Sequence, residues 1–142
     1  MENNKTLKIL VAVDGSETSD LAVKKAGETL RYSALDITLL AVLEDVATYK
    51  KIPDNPLYKE RKGNALKILE KAKKVLQRYN IEAKTKTAIG PVAAEIVRIA
   101  EEEGFDSIYM GSRGNRGVKR LLLGSVADEV IRYAHCPVTI VR

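Results

Sequence analysis

Two stretches of the chain, Leu7 to Val13 and Ile37 to Leu43, are almost unbroken runs of apolar residues. A strand with one face in water alternates apolar and polar side chains. A run without alternation is covered on both faces, as in the middle of a parallel sheet. Tight turns cannot join parallel strands, so each pair needs a crossover, usually a helix. The sequence supplies these. Ser16 reads as the N-cap of a helix reaching about Tyr32, which carries Leu21, Ala22, Ala26 and Leu30 inward and places Glu17 and Asp20 near its positive end. From about Pro56 to Tyr79, the residues Ala65, Ile68, Leu69, Ala72, Val75, Leu76 and Tyr79 fall on one helical stripe. The basic residues of this segment, Arg61 and Lys67 among them, read as its solvated face.

Ala83 to Ile89 interleaves Lys84 and Lys86 with smaller residues, the pattern of an edge strand guarded by lysine. Gly90-Pro91 opens a third helix with proline at its first turn, and Gly104 lies just past its end. Asp106 to Met110 reads as a fourth strand. Val126, Ala127, Val130, Ile131 and Ala134 form the buried stripe of a last helix, and Cys136-Pro137 leads into a final strand, Val138 to Val141. Strand and helix thus alternate four times and close on a fifth strand. The predicted architecture is a single α/β domain over residues 1–142, doubly wound and Rossmann-like. Its five-stranded parallel sheet has order 3-2-1-4-5 and helices on both faces. Glu44 to Asn55, with Pro53 and Asp54, is expected to be a loop.

A chain of 142 residues that is 45% hydrophobic has enough material for one real core. Apolar runs such as Ile9 to Val13 are far too short to span a membrane, and Met1 to Lys5 lacks a signal peptide's charge pattern, so a soluble, cytoplasmic protein is expected. With Cys136 and His135 the sole cysteine and histidine, there is no intramolecular disulfide and no Cys/His zinc cluster. The net charge of +5 favours anionic ligands only weakly. Nucleic acid is not expected as a partner: the chain has no Trp and one Phe, and no basic run carries aromatics to stack bases.

The chemistry concentrates in Gly111-Ser112-Arg113-Gly114 and, after nine intervening residues, Gly124-Ser125. A glycine-lined loop that joins a strand end to a helix start lets backbone N–H groups approach an anion. The helix N-terminus adds unpaired donors and the positive end of its dipole. Arg113, Arg116, Lys119 and Arg120 add formal charge. Glycine and arginine together also describe a plain surface loop. Neither the Walker loop nor the dinucleotide fingerprint fits: Arg116 stands where the Walker pattern needs its second glycine, and the first strand ends in Asp14-Gly15-Ser16 rather than Gly-x-Gly-x-x-Gly. Right-handed crossovers make the first and fourth strands neighbours at the switch point, which brings Asp14 beside Gly111 and Gly114. Its carboxylate could accept from ribose hydroxyls, help hold a divalent cation, or simply cap the turn into the first helix. The sequence leaves these open.

Over essentially its whole length the chain resembles the universal stress protein family. The resemblance rests on Ile9 to Ser16, on Met110 to Gly114, on the gap to Leu123-Gly124-Ser125-Val126, and on Cys136 to Val141. It implies the ATP-binding branch, with phosphates and ribose on Gly111, Gly114, Gly124 and Ser125, the nucleoside meeting Asp14, and adenine near Val42. The neighbouring Ala12, Val13, Met110, Arg113 and Val126 complete the expected set, with Gly114 and Gly124 at exposed loop or cap positions. The implied ligand is ATP or AMP, with Mg2+ or Mn2+ as a possible companion. Arg113 stands where many members carry histidine, and arginine strengthens a phosphate contact. Ala127 lacks the hydroxyl many relatives have there, which loosens the phosphate end or favours AMP.

The resemblance further implies a stress-response regulatory protein, a binding module or switch that is usually a homodimer. The expected interface is the edge strand Pro137 to Arg142, where Thr139→Pro would remove a ladder donor. The residues agree on catalysis, because no Ser/His/Asp or Cys/His constellation is evident. His135 reads as a helix-end charge and Cys136 as a small core residue. Two other readings remain: a slow metal-assisted ATP hydrolase, and an interaction protein of the same fold that binds no nucleotide.

Overall fold

In the computed structural model, residues 6–31, 35–44, 55–114 and 122–142 are described. The elements are β1 (Leu7–Ala12), α1 (Glu17–Leu30), β2 (Leu35–Leu43), α2 (Pro56–Gln77), β3 (Lys84–Ile89), α3 (Val92–Glu102), β4 (Ser107–Gly111), α4 (Ser125–Tyr133) and β5 (Val138–Val141). All strand pairs are parallel, in the order β3-β2-β1-β4-β5. Central β1 pairs on both sides, Val11 standing beside Leu39 of β2 and Tyr109 of β4.

The apolar runs are covered on both faces, and alternate residues serve different cores. Ile9, Val11, Ile37 and Leu39 pack with Val23 and Ala26 of α1 and with Ala65, Leu69 and Leu76 of α2. Leu10, Ala12, Leu40 and Ile108 pack on the opposite face with Ile96 and Ile99 of α3 and with Ala127 and Val130 of α4.

Local signals place most helix ends. Ser16 caps α1, its Oγ accepting from the Ser19 N–H at 3.3 Å. Asn55 caps α2, its Oδ1 accepting from the N–H groups of Leu57 and Tyr58. Pro91 is the N-cap of α3 rather than a residue of its first turn. On edge strand β3, Lys84 pairs with Asp36 at 3.2 Å and Lys86 with Glu103 at 2.9 Å.

Two inward assignments are corrected. Leu21 is 38% exposed and Val23 takes the core position, because the α1 stripe must serve β1 and β4 together; Ile131 is 48% exposed, since α4 turns Ala127 and Val130 into the core with Val126 and Ala134 at its margin. Tyr79 lies beyond the end of α2, its ring against Gly27, where a Cβ would lie 2.4 Å from the ring. Residues 45–54 of the expected loop, and Arg116, Lys119 and Arg120, lie outside the described residues. Among the described residues no helix is long and apolar enough to cross a membrane.

Candidate functional site

The switch point lies between β1 and β4. After β1 the chain turns to the α1 face, and α4 packs on the opposite face. The divergence leaves a cavity of about 320 Å³ at the carboxyl ends of the central strands, within the range of roughly 300–1,000 Å³ seen for small-molecule sites.

Asp14-Gly15-Ser16 forms one wall. Gly15 takes φ +81°, a left-handed conformation that suits glycine. Asp14 Oδ1 accepts from the Ser16 N–H at 2.9 Å, and the Asp14 N–H donates to Ser19 Oγ at 3.1 Å. Asp14 therefore shapes the turn, while its residue stays exposed and lines the cavity.

The three motif glycines differ in what their missing side chains leave room for. A Cβ on Gly111 would meet Thr18 Oγ1 at 2.4 Å and the Thr18 carbonyl carbon at 2.5 Å, so this glycine is required by the first turn of α1 pressed against the end of β4. The space on its Cβ side is filled by α1, while the residue itself also lines the cavity. Gly124 is the N-cap of α4, but it is buried rather than exposed. Its N–H donates to Ser112 O at 2.6 Å, and a Cβ would lie 3.1 Å from that oxygen and 3.2 Å from Arg113 Cα. It lets the helix start press on the loop backbone, and its own N–H is already committed. Gly114 alone is exposed, with Asp14 Oδ2 3.1 Å from where its Cβ would stand.

Gly124 offers no side-chain cap, and the first α4 hydrogen bond runs from the Asp128 N–H to Gly124 O. The N–H groups of Ser125, Val126 and Ala127 therefore have no partner within the helix. All three residues line the cavity. Ala127 is only 2% exposed and packs in the α3–α4 core, so its side chain belongs to packing. Arg113 also lines the cavity. Its Nε is buried without a hydrogen-bond partner, while its backbone is tied to Ser16 and Thr18 of α1.

The structure thus brings all eleven expected residues to one cavity: Ala12, Val13, Asp14, Val42, Met110, Gly111, Arg113, Gly114, Gly124, Ser125 and Val126. It adds others that the sequence reading missed, among them Glu44, Val92, Ile96 and, from α2, Arg61, Asn64 and Ile68. Arg61 is expected on the solvated face. It is exposed, but its spacing to Asn64, Ala65 and Ile68 puts it on the extension of the buried stripe, a signal present in the sequence.

Among the described residues no three His, Cys, Asp or Glu side chains gather to hold a metal ion. A divalent cation here would draw most of its ligands from phosphate oxygens and water, with Asp14 as a cavity-lining carboxylate. His135 is exposed beyond the end of α4. Cys136 is half-buried against the α3–α4 core. Burial, reinforced by the Asp106 charge, pushes its thiol up, which disfavours the nucleophilic thiolate.

A parallel α/β sheet with a cleft at its switch point, bordered by a glycine loop and an uncapped helix start, places the chain in the Rossmann-like class. The Universal stress protein family model matches residues 5–142, and the chain belongs to that family. It is 37% identical to universal stress protein YxiE of Bacillus subtilis, an alignment covering 95% of this chain and 98% of the relative. It is 35% identical to universal stress protein MJ0577 of Methanocaldococcus jannaschii, over 95% of this chain and 94% of that one. The solved structure of MJ0577 superposes with a TM-score of 0.83, covering 95% and 94% of the two chains. The structure of a universal stress protein in complex with cAMP superposes with a TM-score of 0.77 at 25% identity, covering 96% and 97%.

Proposed function

We propose that the protein binds an adenine nucleotide, ATP or AMP, in the switch-point cleft and acts as a stress-response binding module or switch. The observation that carries this reading is the pairing of two kinds of donor at one end of the cavity. The N–H groups at the start of α4, which have no partner within the helix, and the half-buried, cavity-lining Arg113 guanidinium are what a phosphate would satisfy. The apolar end between Val42, Val92 and Ile96 suits a purine ring, and Asp14 offers an acceptor to a ribose hydroxyl. The cAMP complex of the related protein supports an adenine nucleotide as the ligand class.

In this reading Gly111 and Gly124 contribute indirectly, by letting α1 and α4 close on the loop, and Gly114 contributes directly. In this reading the protein works through binding rather than turnover. The protein pairs as a homodimer through the β5 edge.

Mass spectrometry of small molecules released from the purified protein, with calorimetric titration of ATP, AMP and cAMP, tests the reading. An adenine nucleotide released or bound is expected. No release and no heat with any of the three would overturn it. Phosphate release by the protein alone near the enzyme median of about 10 per second would replace the binding module with a hydrolase.

A further inference from the structure

The first turn of α1 and the loop after β4 are 95 residues apart in sequence, yet they are joined by a reciprocal pair of hydrogen bonds. The Arg113 N–H donates to Thr18 Oγ1 at 3.2 Å, and the Thr18 hydroxyl donates to the Arg113 carbonyl. Ser16 Oγ adds a weaker bond to the same carbonyl at 3.3 Å. Thr18 is 2% exposed, and Gly111 provides the room in which its hydroxyl sits. A hydroxyl buried this deeply, spending its acceptor on the N–H and its donor on the carbonyl of one residue, fixes the two peptide units that flank that residue's Cα. The residue so held is Arg113, whose buried Nε has no partner. The side chain as a whole is only half-buried and lines the cavity, so the fixed main chain sets the root from which the rest of the guanidinium meets an anion.

Resting on the nucleotide reading above, we infer that Thr18 is a positioning residue for phosphate recognition. It locks the Arg113 peptide so that the guanidinium is presented to the ligand's phosphate, and the pair sets the preference for phosphorylated over unphosphorylated adenine ligands. Thr18 does not touch the ligand in this scheme. Its influence passes through Arg113, so it is confined to the phosphate end of the cleft.

That confinement separates positioning from general structural support. Calorimetric titration with AMP and with adenosine reads the two ends independently. Thr18→Val keeps the side-chain shape and removes both hydrogen bonds; it is expected to weaken AMP about tenfold and leave adenosine within about twofold. Arg113→Met is expected to show the same selective loss. Thr18→Ser keeps the hydroxyl and is expected to restore AMP binding, which covers the case in which Thr18→Val does not fold. Equal losses for AMP and adenosine in Thr18→Val, or AMP affinity unchanged in Arg113→Met, would overturn the positioning role while leaving nucleotide binding intact. A wild-type protein that bound neither AMP nor adenosine would overturn the nucleotide reading itself, and the positioning role with it.

Discussion

A Cβ built on Gly111 lies 2.4 Å from Thr18 Oγ1, closer than side-chain carbons approach any neighbour. The contact is with the buried first turn of a helix, which cannot swing aside as a long surface side chain would. Gly111→Ala is therefore expected to destabilise the fold by about 1–3 kcal/mol, the usual cost of overpacking. Urea denaturation should show a lower midpoint with an unchanged slope.

Gly114 and Gly124 separate along the same line. Gly114→Val should weaken nucleotide binding at least tenfold in calorimetry with little change in melting temperature, because Gly114 is exposed and its missing side chain faces the Asp14 carboxylate. Gly124→Val should lower the melting temperature as well as the affinity, since its side chain would meet the Ser112 and Arg113 backbone.

Asp14→Asn keeps an oxygen acceptor for the Ser16 N–H, so the turn into α1 and the thermal stability should survive. Nucleotide affinity is expected to fall less than in Gly114→Val. The titration is repeated with and without a chelator: an equal loss in both means that Asp14 acts on the nucleoside, whereas a loss confined to the chelator-free protein assigns it a metal.

Arg98 joins Glu95 at 2.7 Å and Glu102 at 2.9 Å on the exposed side of α3. Its hydrogen bonds hold the Glu95 carboxyl below its ordinary value of 4.5, against a smaller upward push from partial burial. A depressed carboxylate stabilises the fold above the unfolded value and loses that contribution as pH falls through the folded one. Glu95→Gln should thus cost about 0.5 kcal/mol at neutral pH, the scale of a helical ion pair. The difference from wild type should shrink as pH falls below 4.5 and vanish once the lowered folded-state value has been passed, as read by thermal melts across the pH range.

Light scattering is expected to show a dimer at micromolar concentration. The Ile108 N–H donates to Pro137 O and the Ser112 N–H to Val141 O, so the odd-numbered residues of β5 face β4. The outward groups belong to Val138, Ile140 and Arg142. Thr139→Pro would therefore cut the sheet's own ladder. Ile140→Pro removes an outward donor and is expected to shift the protein toward monomer.

Order and type of the elements were legible because both are local properties. Unbroken apolar runs, a stripe at helical spacing, Ser16 at a helix start and lysines on β3 each report their surroundings within a few residues. The strand order needed the doubly wound template as well, because right-handed crossovers alone also allow the order 2-1-3-4-5. The cleft was legible through the family motif, whose residues sit at the carboxyl ends of β1, β2 and β4 and at the start of α4.

The tertiary structure decided what each of those residues does. The sequence shows three similar glycines, but whether the missing Cβ makes room for α1, for loop backbone or for a ligand depends on segments distant along the chain. Periodicity puts Arg61 on one stripe with Ala65 and Ile68, but that this end of the stripe borders the cleft rather than water depends on where the helix is placed. The Thr18 hydroxyl met the Arg113 peptide because close packing at Gly111 brought two distant loops within hydrogen-bonding reach. Periodicity is written residue by residue and can be read directly, whereas contacts between remote segments exist only once the sheet has brought them together.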